Sequence, residues 1–184
     1  MRSAITILSF VPLLAALTGC DDRPRAPALT NEAVYSDSTS GLTFVAPEGW
    51  VLYAKVNLPE DRKLDYPQRL VAYRVGGGDR AGGFELYALD LPAGQGLLDY
   101  LAEPKKAIGA EKWTTPKGQP TEETINGVKA ARYVQTGSGK ADRRRELIEF
   151  RRPDRTYVFA LTYKTTDTQT REQAQRAVQS ATWK

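Results

Sequence analysis

Thr156-Tyr157-Val158-Phe159-Ala160-Leu161-Thr162-Tyr163 decides how this chain folds. Tyr157, Phe159, Leu161 and Tyr163 fall on one face of an extended strand, and Val158 and Ala160 on the other. Apolar side chains on both faces predict a central strand covered from both sides. Residues 145–152 read as its hairpin partner about Pro153-Asp154, where the proline presets the turn.

Working outward, the segment after Tyr163 predicts a final helix. Thr166 or Asp167 can cap it, and Ala174, Ala177, Val178 and Ala181 form one narrow stripe of small residues. Trp183 is expected to anchor the end of the chain in the core. Toward the N-terminus, Ile125-Asn126-Gly127-Val128 is a hairpin signal, because Asn-Gly supplies the two positive-φ residues of a type I′ turn. Residues 128–136 return as a strand, 137–142 read as a loop, and 113–124 as an irregular strand. Leu97, Leu98, Leu101 and Ala102 recur at helical spacing. Pro104 interrupts that helix or restarts it, with a second part to Ile108. Residues 41–47, 50–56, 69–75 and 84–91 read as strands, with Pro47-Glu48-Gly49 a turn, 58–68 a surface loop and 76–83 a flexible connection. This predicts α/β architecture of two or three layers around a largely antiparallel sheet.

The chain has 184 residues, 41% hydrophobic and 26% charged, with a formal charge of +4. That is an ordinary globular composition. It contains no histidine and one cysteine, Cys20. Without histidine there is no Ser-His-Asp or Cys-His catalysis and few routes to a zinc site. A single cysteine forms no intrachain disulfide.

Arg2, the apolar run 4–17 and the small residues before Cys20 read as a secretory signal peptide; about 14 apolar residues are too short for a confident membrane span. Leu17-Thr18-Gly19-Cys20 resembles the lipobox of bacterial lipoproteins. The resemblance implies cleavage after residue 19 and a diacylglycerol on Cys20, and Asp21 resembles the signal that retains such proteins in the inner membrane of Gram-negative bacteria. The expected organisation is a signal peptide 1–19, a lipidated tether 20–33 and one globular domain 34–184. The partners expected are the membrane, through Cys20, and an envelope protein. Export takes the domain away from nucleic acid.

Three features in order carry a second resemblance: Gly41-Leu42-Thr43-Phe44 running into Ala46-Pro47-Glu48-Gly49-Trp50, the Ile-Asn-Gly hairpin followed by Arg132-Tyr133, and the 157–163 strand followed by a last helix and a terminal aromatic. Together they resemble the Mog1/PsbP-like superfamily, which implies an α/β/α sandwich around an antiparallel sheet. Members bind a small GTPase, serve as an extrinsic subunit of photosystem II, or are bacterial lipoproteins. The resemblance therefore implies a binding or scaffold role rather than an enzymatic one. No motif here matches a binding site of that family, so no residue is carried over.

Other motifs read as structure. Residues 76–81 fit the letters of a dinucleotide loop, but a strand follows where a helix is required. Gly137-Ser138-Gly139-Lys140 lacks the first glycine and the final Ser or Thr of a P-loop. Lys140, Arg143, Arg144, Arg145, Arg151, Arg152 and Arg155 form a basic cluster. It reads either as a solvated rim paired with Glu146, Glu149 and Asp154, or as a contact for an anionic surface. No cofactor and no metal are expected. An envelope hydrolase would instead need a pocket with two carboxylates, one of raised pKa, and a small-ligand carrier would need an apolar cavity.

Overall fold

The computed structural model describes residues 33–58, 63–75, 82–109, 112–114, 120–138 and 140–184, without the side chains of 140 and 141. The expected signal peptide, Cys20, Asp21 and all of the tether but Ala33 lie outside the described residues.

The strands are β1 (Val34–Ser36), β2 (Leu42–Val45), β3 (Trp50–Lys55), β4 (Gln68–Val75), β5 (Gly83–Leu89), β6 (Trp113–Thr114), β7 (Thr121–Ile125), β8 (Val128–Gly137), β9 (Lys140–Arg151), β10 (Thr156–Lys164) and β11 (Thr182–Trp183). The helices are α1 (Leu97–Leu101) and α2 (Thr168–Gln179), with a 3-10 turn at Pro104–Lys106. The large sheet runs β3-β4-β5-β10-β9-β8-β6, with β7 also paired to β8, and every pairing is antiparallel. A small sheet, β1-β2-β11, joins the two ends of the described chain.

The doubly apolar strand sits where its pattern requires. β10 pairs with β5 on one side and β9 on the other. Its Phe159 face meets Phe44, Phe84 and Phe150 at ring-centroid distances of 5.4, 5.5 and 5.8 Å. The small sheet and α2 cover this face, and the stripe Ala174, Ala177, Val178 and Ala181 is wholly buried there. The opposite face, Val158 and Ala160, packs with Leu147, Leu89, Leu97, Tyr100 and Ile108 beneath α1. The chain is thus an antiparallel-sheet-dominated α+β sandwich with one helix on each face.

Several local readings change. Gly137 and residues 140–142 are strand rather than loop: β8 continues to Gly137 and β9 starts at Lys140, because backbone pairing extends a hairpin even where its side chains are polar. β9 therefore starts at Lys140 rather than Arg145. The irregular strand 113–124 divides into β6 and β7, both paired with β8, and residues 115–119 lie outside the described residues. α1 ends at Leu101, and Pro104 opens only a short 3-10 turn that stops before Ile108. Asp167, not Thr166, caps α2, accepting from the Thr170 amide at 3.0 Å. Trp183 does anchor the terminus, 4.9 Å from the Phe150 ring, but as part of a strand.

Candidate functional site

Along β4, Arg69 and Arg74 have opposite parity and would project to opposite faces of a regular strand. A register shift between Arg69 and Val71 cancels the difference. The bulge leaves Leu70 and Val71 both in the α2-side core and returns both arginines to the α1 face. On the neighbouring strand Gly83 opposes Arg74, then Thr162 opposes Gly83, and Arg145 opposes Thr162. One row across four strands therefore has an arginine at each end and a floor of glycine and threonine between them.

Gly83 leaves room there for Arg74. A methyl group on its Cα would collide with the Arg74 guanidinium, which lies across it. The result is a cleft of about 540 Å³ lined by Arg69, Arg74, Arg143 and Arg145, with Glu85, Tyr87, Trp113 and Thr162. Among the described residues Glu85 is the only carboxylate of that lining, beside four arginines.

Each cation whose contacts are resolved is held. Arg74 donates to Glu85 Oε1 at 2.8 Å and Arg69 reaches the same oxygen at 3.5 Å, while the Tyr87 hydroxyl donates to Oε2 at 3.0 Å. Burial, with the Glu85 charge and hydrogen bond beside it, pushes the Tyr87 phenol well above its ordinary pKa, so it stays a donor. Arg145 is buried: its Nε donates to Gln135 at 2.8 Å, its Nη1 to the Ile108 carbonyl at 2.6 Å, and its guanidinium lies 4.8 Å from the Trp113 ring centroid. Arg69 and Arg74 keep 41% and 43% of their side-chain surface exposed, so they reach the cleft mouth.

The basic cluster read from the sequence is divided. Neighbours on β9 alternate between faces, which sends Arg143 and Arg145 into the cleft and Arg144 to the other side, where it donates to Thr136. Arg151 follows Arg143 by eight residues, roughly 26 Å along the strand. There Arg151 pairs with Glu149 at 2.6 Å, Arg152 lies 5.5 Å from the Trp183 ring, and Arg155 stands 3.9 Å from Asp90. The Lys140 side chain lies outside the described residues, as do Cys20 and Asp21. Sequence reading missed Arg69, Arg74, Glu85 and Trp113. The usable signals were glycine opening a strand, which marks a bare sheet surface, and the Arg143-x-Arg145 spacing, which shares a face.

On the α2 face, Glu146 is the most enclosed acid among the described residues, with a side chain 1% exposed. It accepts from Arg132, from the Tyr163 hydroxyl, from Arg171 at 2.9 Å and from Gln175 at 3.1 Å. Burial alone would raise its pKa, but the Tyr163 and Gln175 hydrogen bonds and the Arg132 and Arg171 charges outweigh it and hold the pKa below the ordinary value. A second cleft of about 460 Å³ contains Glu122, Glu123 and Glu149. There Glu123 pairs with Arg132 at 2.9 Å, and Glu149 accepts from the Tyr133 hydroxyl at 2.8 Å. Among the described residues no group of three His, Cys, Asp or Glu side chains could hold a metal ion. No described helix is long and apolar enough to cross a membrane.

No family model matches the chain, and neither does any curated protein. Among solved structures it is similar to the solution structure of cyanobacterial PsbP (CyanoP) from Synechocystis sp. PCC 6803. The TM-score is 0.54 at 14% identity, over 86% of this chain and 97% of that one. The likeness supports a PsbP-like fold.

Proposed function

We propose that this chain is an exported, lipid-anchored protein that acts as a non-catalytic binding or scaffold domain at the cell envelope. Cys20 carries the anchor, and in a cell with two membranes Asp21 keeps the domain on the periplasmic face of the inner one. The observation that carries the binding role is the cleft, in which four arginines and, among the described residues, one glutamate line the face of the sheet. Guanidinium groups fixed in this way recognise carboxylate or phosphate with little loss of side-chain freedom.

Catalysis by carboxylates fits less well. A general acid working near neutral pH needs a raised pKa, whereas the most enclosed carboxylate, Glu146, is held low by four donor side chains. A carrier for apolar ligands also fits less well, because charged and polar side chains dominate the linings of the clefts of about 540, 480 and 460 Å³.

The test has two parts. Wild-type protein should stay with membranes after a salt wash, and Cys20→Ser should be released; a variant that still pellets overturns the anchor. A photo-crosslinking residue at Tyr53, which is exposed beside Arg74, should then capture an envelope partner, whereas one at exposed Val134 on β8 should not. Equal capture from both positions overturns the cleft as the binding face.

A further inference from the structure

We propose that the arginine cleft takes a phosphate ester, held by Arg69, Arg74, Arg143 and Arg145 over Thr162. This rests on the reading of the chain as a binding domain and adds the chemistry of what it binds.

The geometry favours this class of ligand in three ways. Arg74 and Arg145 stand three strand spacings apart in one row, roughly 14 Å between backbones. The Arg74 guanidinium lies across Gly83, and the next position carries only the short Thr162 side chain, so an anion can lie over Thr162 with Arg74 on one side and Arg145 on the other. Donors then converge from four side chains on two strands, β4 and β9. A tetrahedral phosphate presents oxygens in several directions and suits such convergence better than a planar carboxylate, whose acceptor sites lie in one plane. Finally, a volume of about 540 Å³ is more than a bare ion occupies and falls in the range of small-molecule sites. The remainder, with Trp113 on its wall, accommodates the body that the phosphate esterifies.

Glu85 acts as a positioning residue. One of its oxygens holds Arg69 and Arg74 together, and the Tyr87 hydroxyl occupies the other. The two arginines are thereby oriented before a ligand arrives, which lowers the entropy lost on binding. No covalent step is involved.

Phosphate ester chemistry has two sources at a membrane, a phospholipid headgroup and a soluble ester, and the experiment separates them. The lipidated full chain is placed in phosphatidylcholine nanodiscs and titrated with inorganic pyrophosphate at constant ionic strength, following Trp113 emission. Trp113→Phe identifies the signal against Trp50 and Trp183. Saturable quenching that chloride does not reproduce is expected. Arg69→Gln/Arg74→Gln, at two half-exposed positions, should weaken binding by about 10-fold or more without unfolding the sheet. Gly83→Ala should also weaken it severalfold, because it displaces Arg74 while leaving the net charge unchanged. Arg151→Gln, at the far end of β9, should bind as wild type does. Discs containing phosphatidylglycerol distinguish the source. If they shift Trp113 emission before pyrophosphate is added, and pyrophosphate reverses the shift, the ligand is a headgroup. If they do not, it is a soluble ester.

The proposal is overturned if quenching follows ionic strength alone, if the double variant binds as wild type does, or if Arg151→Gln weakens binding equally. Failure of the Cys20→Ser release alongside saturable binding would remove the anchor and leave this site standing. The reverse result would remove the site alone.

Discussion

Replacing Glu146 with glutamine removes one charge from the centre of a five-residue network and little volume. Arg132 is 17% exposed and loses a buried partner, while Arg171 is 51% exposed and can turn to water. Breaking a buried pair from one side costs roughly 3–5 kcal/mol. Arg132 keeps Glu123 at 2.9 Å, which places the expected loss near the lower end, about 3 kcal/mol. With a urea m-value of roughly 2 kcal/mol per molar, the unfolding midpoint should fall by about 1.5 M. Arg171→Gln should cost under about 1 kcal/mol, since its side chain is half in water. Glu146→Met combined with Arg132→Met should recover most of the loss, because the pair is then replaced by apolar volume instead of being left half-made. The reasoning is refuted if Glu146→Gln shifts stability by less than about 1 kcal/mol, or if the double replacement is worse than the single one.

The same carboxylate sets the acid limit. Its folded pKa lies below its unfolded one, so in acid the unfolded chain binds more protons and stability drops as pH falls below about 4.3. Urea unfolding at pH 7, 4 and 3 should show that limb, and Glu146→Gln should flatten it. Asn126 holds φ +47° at the hairpin and donates its amide to the Gln179 and Ala181 carbonyls at 2.7 and 2.9 Å. Asn126→Ala should therefore cost about 2 kcal/mol in thermal or urea unfolding, and Asn126→Asp nearly as much, since a carboxylate cannot donate. Phe159→Ala, which empties the centre of the aromatic cluster, should cost about 4 kcal/mol; a loss under about 2 kcal/mol would mean that the cluster does not govern the core.

The sandwich was legible because its signals are local and periodic. The 156–163 pattern names a strand with two buried faces, the Ala174–Ala181 stripe names a close-packed helix, and Asn126-Gly127 names a turn. The cleft was not legible, because it is assembled across the sheet. Arg69 and Arg145 are far apart in sequence and meet only through the β4-β5-β10-β9 pairings. A bulge, invisible in the residue pattern, decides that Arg69 and Arg74 share a face. The run of arginines that stood out in the sequence is separated by the alternation and length of β9. Sequence proximity along a strand thus misled in both directions: it grouped Arg143 with Arg155 and left out Arg74. Cys20 and Asp21, singled out through the lipobox resemblance, lie outside the described residues.

The small sheet has a mechanical consequence. β1 is three residues long, pairs only with β2 among the described strands, and receives the chain directly from the segment before it. Any pull arriving from that segment loads the β1–β2 ladder first, while β2 is braced on its far edge by β11 and the Trp183 contacts. Peeling β1 would release roughly 10 Å of slack. The strands that form the cleft belong to the other sheet, so the domain can yield to tension at β1 while its arginines keep their spacing.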